Sequence, residues 1–384
     1  MFQNNPHKQV LLQVFKKTRM IILLAILASF TGGGYLFMQQ KQFGTDPKGE
    51  RLARILKSPN YKDGAFQNLT PTPMMAEGVS YWTVMKDYLR KGEGREPQQN
   101  IPSVTTNLKQ LSDSIPTIVW FGHSSYLIKI NGKHILVDPV FSGTASPISY
   151  FGKNYKGSNV YDVDAFPEID VVLITHDHYD HLDYATIQKL IPKTKQFCTS
   201  LGVGAHLEYW GVSPTKITEL DWWERAQLDS DMAFTATPAR HFSGRKFTRG
   251  KTLWSSFVFE TNGYKLFLGG DSGYEKHFKE IGAKFGGFDM AILECGQYNT
   301  SWRNIHMMPE ETAQAAVDLK AKVLMPVHNS KFTLALHQWN EPLNRVTTRA
   351  KELHMPITTP MIGEPVLLGS HYPNQQWYNA LGQN

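Results

Sequence analysis

The stretch 171–190, VVLITHDHYDHLDYATIQKL, joins a run of apolar residues to a loop that holds three histidines and three aspartates. The apolar run has the length and composition of a strand that is buried on both of its faces. A helical pattern begins near residues 182–184. The loop between strand and helix therefore lies at the C-terminal edge of a sheet, where α/β proteins place their functional sites. Since imidazole and carboxylate groups bind zinc and similar divalent ions, the loop predicts a metal site.

One loop cannot supply the ligands of two ions, so further ligands must come from later strands. Candidates close three apolar runs, in TPARHFSGR, LFLGGDSGY and LMPVHNS. A lone histidine is usually structural, but this ordered set predicts a binuclear site, with Asp271 suited to bridge two ions because a carboxylate has two oxygens. We expect two divalent metal ions as the cofactor, with zinc favoured. The seven candidate ligands are His176, His178, Asp180, His181, His241, Asp271 and His328.

The chain repeats one structural pattern. SSYLIKINGKHILV from Ser124 and SSFVFETNGYKLFL from Ser255 both read as strand, Asn-Gly turn, strand. FPEIDVVLIT from Phe166 parallels FGGFDMAILE from Phe285, and each is followed by a helical pattern and another apolar strand. We therefore expect an α/β fold, an αββα sandwich built from two repeated hairpin–strand–helix–strand halves. The alternative is a chance resemblance between two ordinary α/β halves.

Composition limits the class of protein. Of the 384 residues, 41% are apolar and 19% are charged, which is typical of a globular protein. The net charge of +6 is compatible with an anionic membrane surface or substrate. Because no concentrated Lys/Arg stripe carries interleaved aromatic residues, we expect no nucleic-acid partner. Cys198 and Cys295 each lie in an apolar run and are expected to be buried free thiols. The sequence does not set the oligomeric state.

The N-terminal region predicts a membrane anchor. Four basic residues precede MIILLAILASFTGGGYLFM, residues 20–38, and no acidic residue occurs before Asp46. At ~1.5 Å per residue this helix reaches about the ~30 Å of a bilayer core. The basic flank predicts a single-pass inner-membrane protein with a cytoplasmic N-terminus and a catalytic domain on the exported, periplasmic side. A cleaved signal peptide and a soluble hydrophobic helix are the alternatives.

Three segments follow from these features. Residues 1–39 form the basic segment and membrane anchor. Residues 40–115 are polar and turn-rich and are expected to be a linker and N-terminal wrap, with GERLARILK as a short helix. Residues 116–384 are expected to form the catalytic domain.

The motif THDHYDH, with the later His, Asp and His, resembles the metallo-β-lactamase superfamily in its binuclear zinc-hydrolase form. The narrower motifs DPVFSGTASP, ELDWWE and FTLALH resemble the N-acylphosphatidylethanolamine-hydrolysing phospholipase D family and its bacterial relatives. This resemblance covers roughly residues 56–368. It implies that His176, His178 and His241 hold one ion, that Asp180, His181 and His328 hold the other, and that Asp271 bridges the two.

The resemblance also implies roles in catalysis. His306 in NIHMMPEET is similar to a phosphate-contacting histidine of the family, and Asp180 or Asp271 is expected to position or relay a proton. Tyr179 is similar to a substrate-contacting residue, with packing as the alternative. Asp138 and His123 are expected to orient groups of the metal loop or to be structural. Met308 departs from the family, whose members carry Asp or Asn as the helix cap there.

We expect the protein to be a metal-dependent phosphodiesterase of phospholipase D type, with phospholipids similar to N-acyl phosphatidylethanolamine as substrate. A hydrolase of lactones, thioesters or β-lactams is the alternative, because the same ligands serve attack on a carbonyl group. A non-catalytic metal-binding envelope protein is a third hypothesis. His306 discriminates the first two, because its loss would impair phosphodiester cleavage more than ester cleavage.

Overall fold

The computed structural model describes residues 6–90 and 92–382. The chain divides into two compact units, of which the first ends at Phe43 and the second starts at Gly44. The first unit contains α1, Pro6–Phe37. Within the described residues, α1 is the one helix that is long and apolar enough to cross a membrane, over Gln13–Phe37, with a mean hydropathy of 2.0. A signal sequence has the same properties, so this finding confirms the predicted apolar helix and not its membrane role.

The second unit contains the remaining α-helices and all strands of the described chain. Its α-helices are α2 (Gly49–Ile55), α3 (Tyr81–Leu89), α4 (Tyr184–Leu190), α5 (Gly204–Tyr209), α6 (His277–Phe285), α7 (Pro309–Asp318) and α8 (Glu341–Glu352). Its strands are β1 (Tyr61–Lys62), β2 (Ala65–Phe66), β3 (Thr117–Trp120), β4 (Tyr126–Ile130), β5 (Lys133–Val137), β6 (Ile169–Ile174), β7 (Thr194–Ser200), β8 (Ile217–Leu220), β9 (Arg225–Asp229), β10 (Met232–Thr237), β11 (Ser256–Thr261), β12 (Tyr264–Leu268), β13 (Met290–Glu294), β14 (Leu324–Val327) and β15 (Pro365–Leu367).

The strands form two large sheets with the same internal pattern. The seven-stranded sheet has the order β15-β3-β4-β5-β6-β7-β8, and the six-stranded sheet has the order β14-β13-β12-β11-β10-β9. In each sheet an antiparallel hairpin, β4–β5 or β11–β12, is followed by strands that pair in parallel. The repeated hairpin–strand–helix–strand pattern is therefore confirmed. In the first hairpin, Asn131 (φ 48°) and Gly132 (φ 73°) supply the left-handed conformations of a tight turn.

Strand β6 is buried on both faces, as its apolar sequence predicts. Val171 and Leu173 pack in a core that includes side chains of the six-stranded sheet. Val172 and Ile174 point the other way, into a second core that side chains of α4 and α5 complete. Helices α6, α7 and α8 pack with the six-stranded sheet. The two sheets thus lie face to face with helices outside. The loop 175–183, which follows β6 and carries candidate metal ligands, lies at the edge of this sandwich and is called the metal loop.

The predicted wrap, residues 40–115, carries α2, α3 and the small β1–β2 hairpin. Helix α2 is the short helix that GERLARILK predicts. The side chain of Asn68 donates to the carbonyl oxygen of His241 at 2.8 Å and accepts from the His241 amide at 3.1 Å. The wrap therefore contacts a predicted metal ligand directly. Cys198 and Cys295 are buried free thiols, as expected.

Replacing Phe234 with alanine tests the core to which side chains of both sheets contribute. Phe234 is fully buried, and its ring stacks on Phe259 with the ring centres 4.9 Å apart. We expect Phe234→Ala to lower the free energy of unfolding by about 3–5 kcal/mol, because it opens a cavity in a packed core. The matched control is Phe247→Ala, since Phe247 is 93% exposed. Equal stability of the two variants in chemical denaturation would contradict the described packing.

Candidate functional site

Parallel strands bring the candidate ligands to one edge. His176 lies just beyond the end of β6, Asp271 lies beyond β12, and His328 follows β14. Strands β12, β13 and β14 are mutually parallel, so their C-terminal ends share one edge of the six-stranded sheet. The structure thereby brings together all seven candidate ligands, which lie far apart in sequence.

The first cluster consists of His176, His178 and His241. Nε2 of His176 and Nε2 of His241 lie 3.0 Å and 3.1 Å from Nδ1 of His178. Burial lowers the pKa of all three imidazoles. Neutral rings with converging nitrogens offer lone pairs to one common point, which is the donor set that a divalent cation binds.

The second cluster consists of Asp180, His181 and His328, together with His123. Oδ2 of Asp180 lies 3.5 Å from Nε2 of His181 and 2.9 Å from Nε2 of His123. His123 is thus placed to orient Asp180, the role that the sequence left open between orientation and packing. Two further groups that could hold an ion overlap these clusters, Asp271/Glu294/His306/His328 and His176/His181/Asp271. The division that the resemblance implies therefore stays a prediction.

Asp271 stands between the two clusters. Its Oδ2 lies 3.8 Å from Nε2 of His176 and 3.7 Å from Nε2 of His241. Its Oδ1 lies 3.2 Å from Nε2 of His181 and 3.2 Å from Nδ1 of His328. Each carboxylate oxygen therefore faces a different cluster, which is the arrangement that a bridging ligand requires.

Unsatisfied polar atoms at the centre of the site fit a bound cation. Among the described residues, Nε2 of His181, Nε2 of His328 and Oδ1 of Asp271 are buried and make no hydrogen bond of normal geometry. Such atoms are costly to bury unless they bind a partner. Burial opposes charge on His181, but the carboxylates of Asp271, Asp180 and Asp138 raise its pKa well above the usual range. These carboxylates therefore require positive charge at the centre of the site.

Two of the candidate histidine ligands, His181 and His241, form hydrogen bonds through Nδ1, the ring nitrogen that faces away from the centre of the site. Nδ1 of His181 donates to Asp138 at 2.8 Å, and Nδ1 of His241 donates to the carbonyl oxygen of Ile305 at 2.9 Å. Asp138 also accepts from the amide and hydroxyl groups of Thr175. These contacts fix the ring orientations and direct each Nε2 toward the centre, as partners behind metal-binding histidines do.

Asp177 belongs to the same loop but turns away from both clusters. Its carboxylate accepts hydrogen bonds from the Gly244 amide at 2.7 Å and the Thr252 hydroxyl at 2.8 Å, and it faces Nε2 of His206 at 3.2 Å. Nδ1 of His206 accepts in turn from the Thr45 amide at 3.1 Å. These contacts hold the metal loop from behind and link it to the start of the second unit.

The structure adds Glu294, which the sequence did not reveal. It is the last residue of β13 and is buried, and its Oε2 lies 2.8 Å from Nδ1 of His306. Its Oε1 accepts from the amides of Met307 and Ser272. Burial opposes charge on His306, but the Glu294 carboxylate raises the pKa of that imidazole. Burial in turn raises the pKa of Glu294 to about 7, so the two groups share a proton across their 2.8 Å contact. Glu294 thus holds the ring of His306, with Oδ2 of Asp271 4.0 Å from Nδ1 of that ring.

The helix after His306 has a different cap from that of the resembled family. The Met308 side chain makes no capping hydrogen bond, but its amide donates to Glu311 at 3.0 Å. The Glu311 carboxylate thus supplies the half of a capping box that reaches back to the N-cap amide, and Met308 supplies no side-chain acceptor for the first amides of α7.

A cavity of about 220 Å³ lies over the clusters. The polar groups of His178, Asp180, Asp271, His306 and His328 are part of its lining. Its apolar wall consists of Met74, Met75, Phe242, Trp302, Ile305 and Leu334. A ligand in this cavity would therefore meet charged groups on one side and apolar side chains on the other.

Tyr179 has the contacts of a packing residue. Its hydroxyl group donates to the carbonyl oxygen of Arg245, and the Arg245 guanidinium lies 4.1 Å from the centre of its ring. It is also absent from the lining of the cavity over the clusters. Substrate contact by Tyr179 stays a prediction, and the observed contacts favour the alternative.

Comparison with known proteins agrees with this geometry. Residues 133–329 match the family described as "Beta-lactamase superfamily domain". An uncharacterised protein of Mycobacterium tuberculosis (strain ATCC 25618 / H37Rv) is 40% identical over 315 residues, which cover 81% of this chain and 84% of that protein. The mitochondrial N-acyl-phosphatidylethanolamine-hydrolyzing phospholipase D of Saccharomyces cerevisiae is 32% identical over 253 residues, covering 60% of this chain and 51% of the yeast protein.

Two further similarities concern location and fold. The outer membrane protein RomA of Klebsiella pneumoniae is 58% identical over 91 residues, which cover 24% of this chain and 69% of RomA. A metallo hydrolase of Ignicoccus hospitalis has a solved structure that superposes with a TM-score of 0.51 at 20% identity, covering 66% of this chain and 98% of that one. The structural similarity supports the α/β sandwich alone.

Metal analysis of purified variants tests the two-cluster arrangement. We expect two ions per native chain and a loss of both in Asp271→Ala, because the two oxygens of Asp271 face different clusters. His241→Ala and His328→Ala should each lose one ion, since each alters one cluster. The matched control is Asp289→Ala, whose carboxylate binds Lys322 at the surface. Less than one ion in the native chain would contradict the binuclear arrangement.

Proposed function

Because the chain belongs to the β-lactamase superfamily and is thereby a metal-dependent hydrolase, we propose that it is a phosphodiesterase of phospholipase D type. The proposed substrates are phospholipids similar to N-acyl phosphatidylethanolamine. The yeast relative supports this substrate class through the activity in its name. Water would cleave the phosphodiester bond on the headgroup side, releasing phosphatidic acid and the N-acylethanolamine.

The observation that carries the proposal is the position of the His306–Glu294 pair in the cavity. A carbonyl substrate develops one negative oxygen in its transition state, whereas a phosphodiester already carries negative charge on its phosphoryl oxygens. His306, held by Glu294 at 2.8 Å, adds a hydrogen-bond donor beside the two clusters, on the wall of a cavity that is otherwise partly apolar. That combination suits an anionic phosphate that carries apolar chains.

The residues present fit two divalent ions, and zinc is the proposed species. His176, His178 and His241 would hold one ion, Asp180, His181 and His328 the other, and Asp271 both. When bound, such ions lower the pKa of water and stabilise negative charge on phosphoryl oxygens.

The chain's own groups would orient the substrate and handle protons. Glu294 engages Nδ1 of His306, so Nε2 is the nitrogen that can donate a hydrogen bond to a phosphoryl oxygen. Asp180 lies at the cavity surface and is oriented by His123, which places its carboxylate to accept a proton from the attacking water. The side chains of Met74, Phe242 and Trp302 would exclude bulk water from the reacting phosphate.

We also propose that α1 anchors the catalytic unit to the inner membrane, with the N-terminus in the cytoplasm and the catalytic domain exported. The three predicted segments, 1–39, 40–115 and 116–384, would then be anchor, wrap and catalytic domain. The apolar stretch of α1 supports a membrane anchor, and the Klebsiella relative carries the name of an outer membrane protein. An anchor would raise the local concentration of enzyme at a lipid substrate.

The effect of His306→Ala on two reaction types tests the proposed function. We expect the native chain to release phosphatidic acid from N-acyl phosphatidylethanolamine in detergent micelles. His306→Ala should lower kcat/KM for this reaction by about 10²- to 10³-fold, the range for loss of one donor to a developing oxyanion. Hydrolysis of p-nitrophenyl acetate should fall much less.

The control is His371→Ala, because His371 is an exposed histidine outside the cavity. Ester or lactone cleavage by a metal-loaded native chain that does not cleave phosphodiesters would overturn the proposal and favour a carbonyl hydrolase.

Glu294 variants test whether the carboxylate positions His306. We expect Glu294→Ala to lower kcat for lipid hydrolysis by roughly 10- to 100-fold, which corresponds to a hydrogen bond to a charged group. Glu294→Gln should recover part of this loss, because it keeps an acceptor for Nδ1 of His306. The exposed Glu280 supplies the control Glu280→Gln. Equal losses in the alanine and glutamine variants, at unchanged folded fraction by circular dichroism, would argue against a positioning role.

A further inference from the structure

Helix α3 exposes a face of large apolar side chains. Its apolar residues follow the helical spacing i, i+1, i+4, i+7, i+8 and so lie on one side. Trp82 is 60% exposed and Leu89 is 73% exposed. We call this set the α3 apolar face: Tyr81, Trp82, Met85, Tyr88 and Leu89.

The α3 apolar face is not the side that packs on the protein. Val84 and Asp87 are the half-buried residues of the helix, and they lie on a different side from Trp82 and Leu89. The ends of the helix are satisfied locally, because the Ser80 side chain caps its start and Arg95 donates to the carbonyl oxygens of Asp87 and Tyr88. The apolar side chains are therefore held outward by a fixed backbone.

Both ends of α3 connect to segments that line the cavity. Before the helix, the Ala76 amide donates to the carbonyl oxygen of Ser301 at 2.8 Å, and Met75 and Trp302 line the cavity. After the helix, the Arg95 carbonyl oxygen accepts from Thr333 at 3.3 Å, next to the cavity residue Leu334. The helix thus lies between two segments that line or adjoin the cavity of the candidate active site.

A second segment with exposed aromatic side chains lies near the contact between Arg95 and Thr333. Tyr150 and Phe151 are 81% and 65% exposed, and the chain then leads to Tyr155. The Tyr155 hydroxyl donates to the Arg95 carbonyl oxygen at 3.2 Å, the same oxygen that Thr333 contacts. Two segments that are distant in sequence therefore present aromatic side chains beside one junction.

We propose that the α3 apolar face is an interfacial surface that inserts into the headgroup region of an anionic phospholipid bilayer. Trp and Tyr favour this region, and an amphipathic helix lies in it with its apolar side buried by ~5–10 Å. Lys86 of α3, whose Nζ lies 5.5 Å from the centre of the Trp82 ring, and Arg90, which follows the helix, are exposed and complement anionic lipid. The surface would set the cavity opening against the bilayer that supplies the substrate, and in this purpose the inference rests on the proposed function.

Depth measurements on the full chain in vesicles test the proposal without turnover. The native cysteines are buried, so a single thiol introduced by Leu89→Cys can be labelled selectively with an environment-sensitive fluorophore. The vesicles contain phosphatidylglycerol and phosphatidylcholine with brominated acyl chains, whose bromines quench nearby fluorophores. We expect a blue-shifted emission and strong quenching for the probe at position 89.

The matched control is Asn262→Cys, in the turn before β12 and therefore at the opposite end of that strand from Asp271. Because every variant carries the same α1, quenching caused by insertion of α1 alone would persist when the α3 apolar face is altered. Adding Trp82→Ser and Tyr88→Ser to the Leu89→Cys chain should abolish the quenching.

Equal, weak quenching at positions 89 and 262 would overturn the proposal. A blue shift that depends on protein concentration and is insensitive to bromine would overturn it too, in favour of a second copy of the chain on this face. Because neither readout requires hydrolysis, a failure here is distinct from a failure of the proposed phosphodiesterase activity.

Discussion

The parallel pairing of β12, β13 and β14 is the constraint on which the candidate site depends. It places the residues that end or follow these strands, Asp271, Glu294 and His328, at one edge of the six-stranded sheet. Strand β6 of the other sheet ends opposite them because its two faces are fixed by two different cores. A shift of one residue in β6 would exchange its faces, and the position of His176 relative to Asp271 would be lost.

Bringing these strand ends together places several buried carboxylates close to one another, which is electrostatically unfavourable. Asp138, Asp180 and Asp271 surround His181 in a region that water scarcely reaches, and the pKa of His181 is raised in response. Burial raises the pKa of Asp138, while His181 and the Thr175 amide and hydroxyl lower it. Without positive charge at the centre, these carboxylates would repel one another across a low dielectric. The hydrogen bonds that Asp138 and the Ile305 carbonyl oxygen accept from His181 and His241 keep the Nε2 atoms of both rings directed toward the centre of the site.

Much of the fold and site could be predicted from sequence, because its signals are local. The Asn-Gly turns mark two hairpins, and the doubly buried strand before THDHYDH reads as one continuous apolar run. Glu294 was missed because AILECG resembles any strand end, and which way its last side chain points depends on pairing with β12 and β14. The orientation of Asp177 depends on Gly244, Thr252 and His206, all distant in sequence. Helix α3 was missed because its apolar residues lie within a polar, turn-rich region whose contacts are long-range.

The contacts of Asp177 have a consequence for how the site acquires its ions. Two of its hydrogen bonds fix the loop from the side opposite the metal-binding groups, using Gly244 and Thr252, which are not candidate ligands. These bonds hold the backbone of the loop in place from the scaffold side, while the carboxylates that face the centre still require positive charge. Such a preorganised site loses little entropy when an ion enters and can exchange one ion for another without local unfolding. The geometry of the chain would impose few preferences among ions that accept imidazole and carboxylate ligands. The identity of the bound metal would then depend on which ions are available in the compartment where the protein resides.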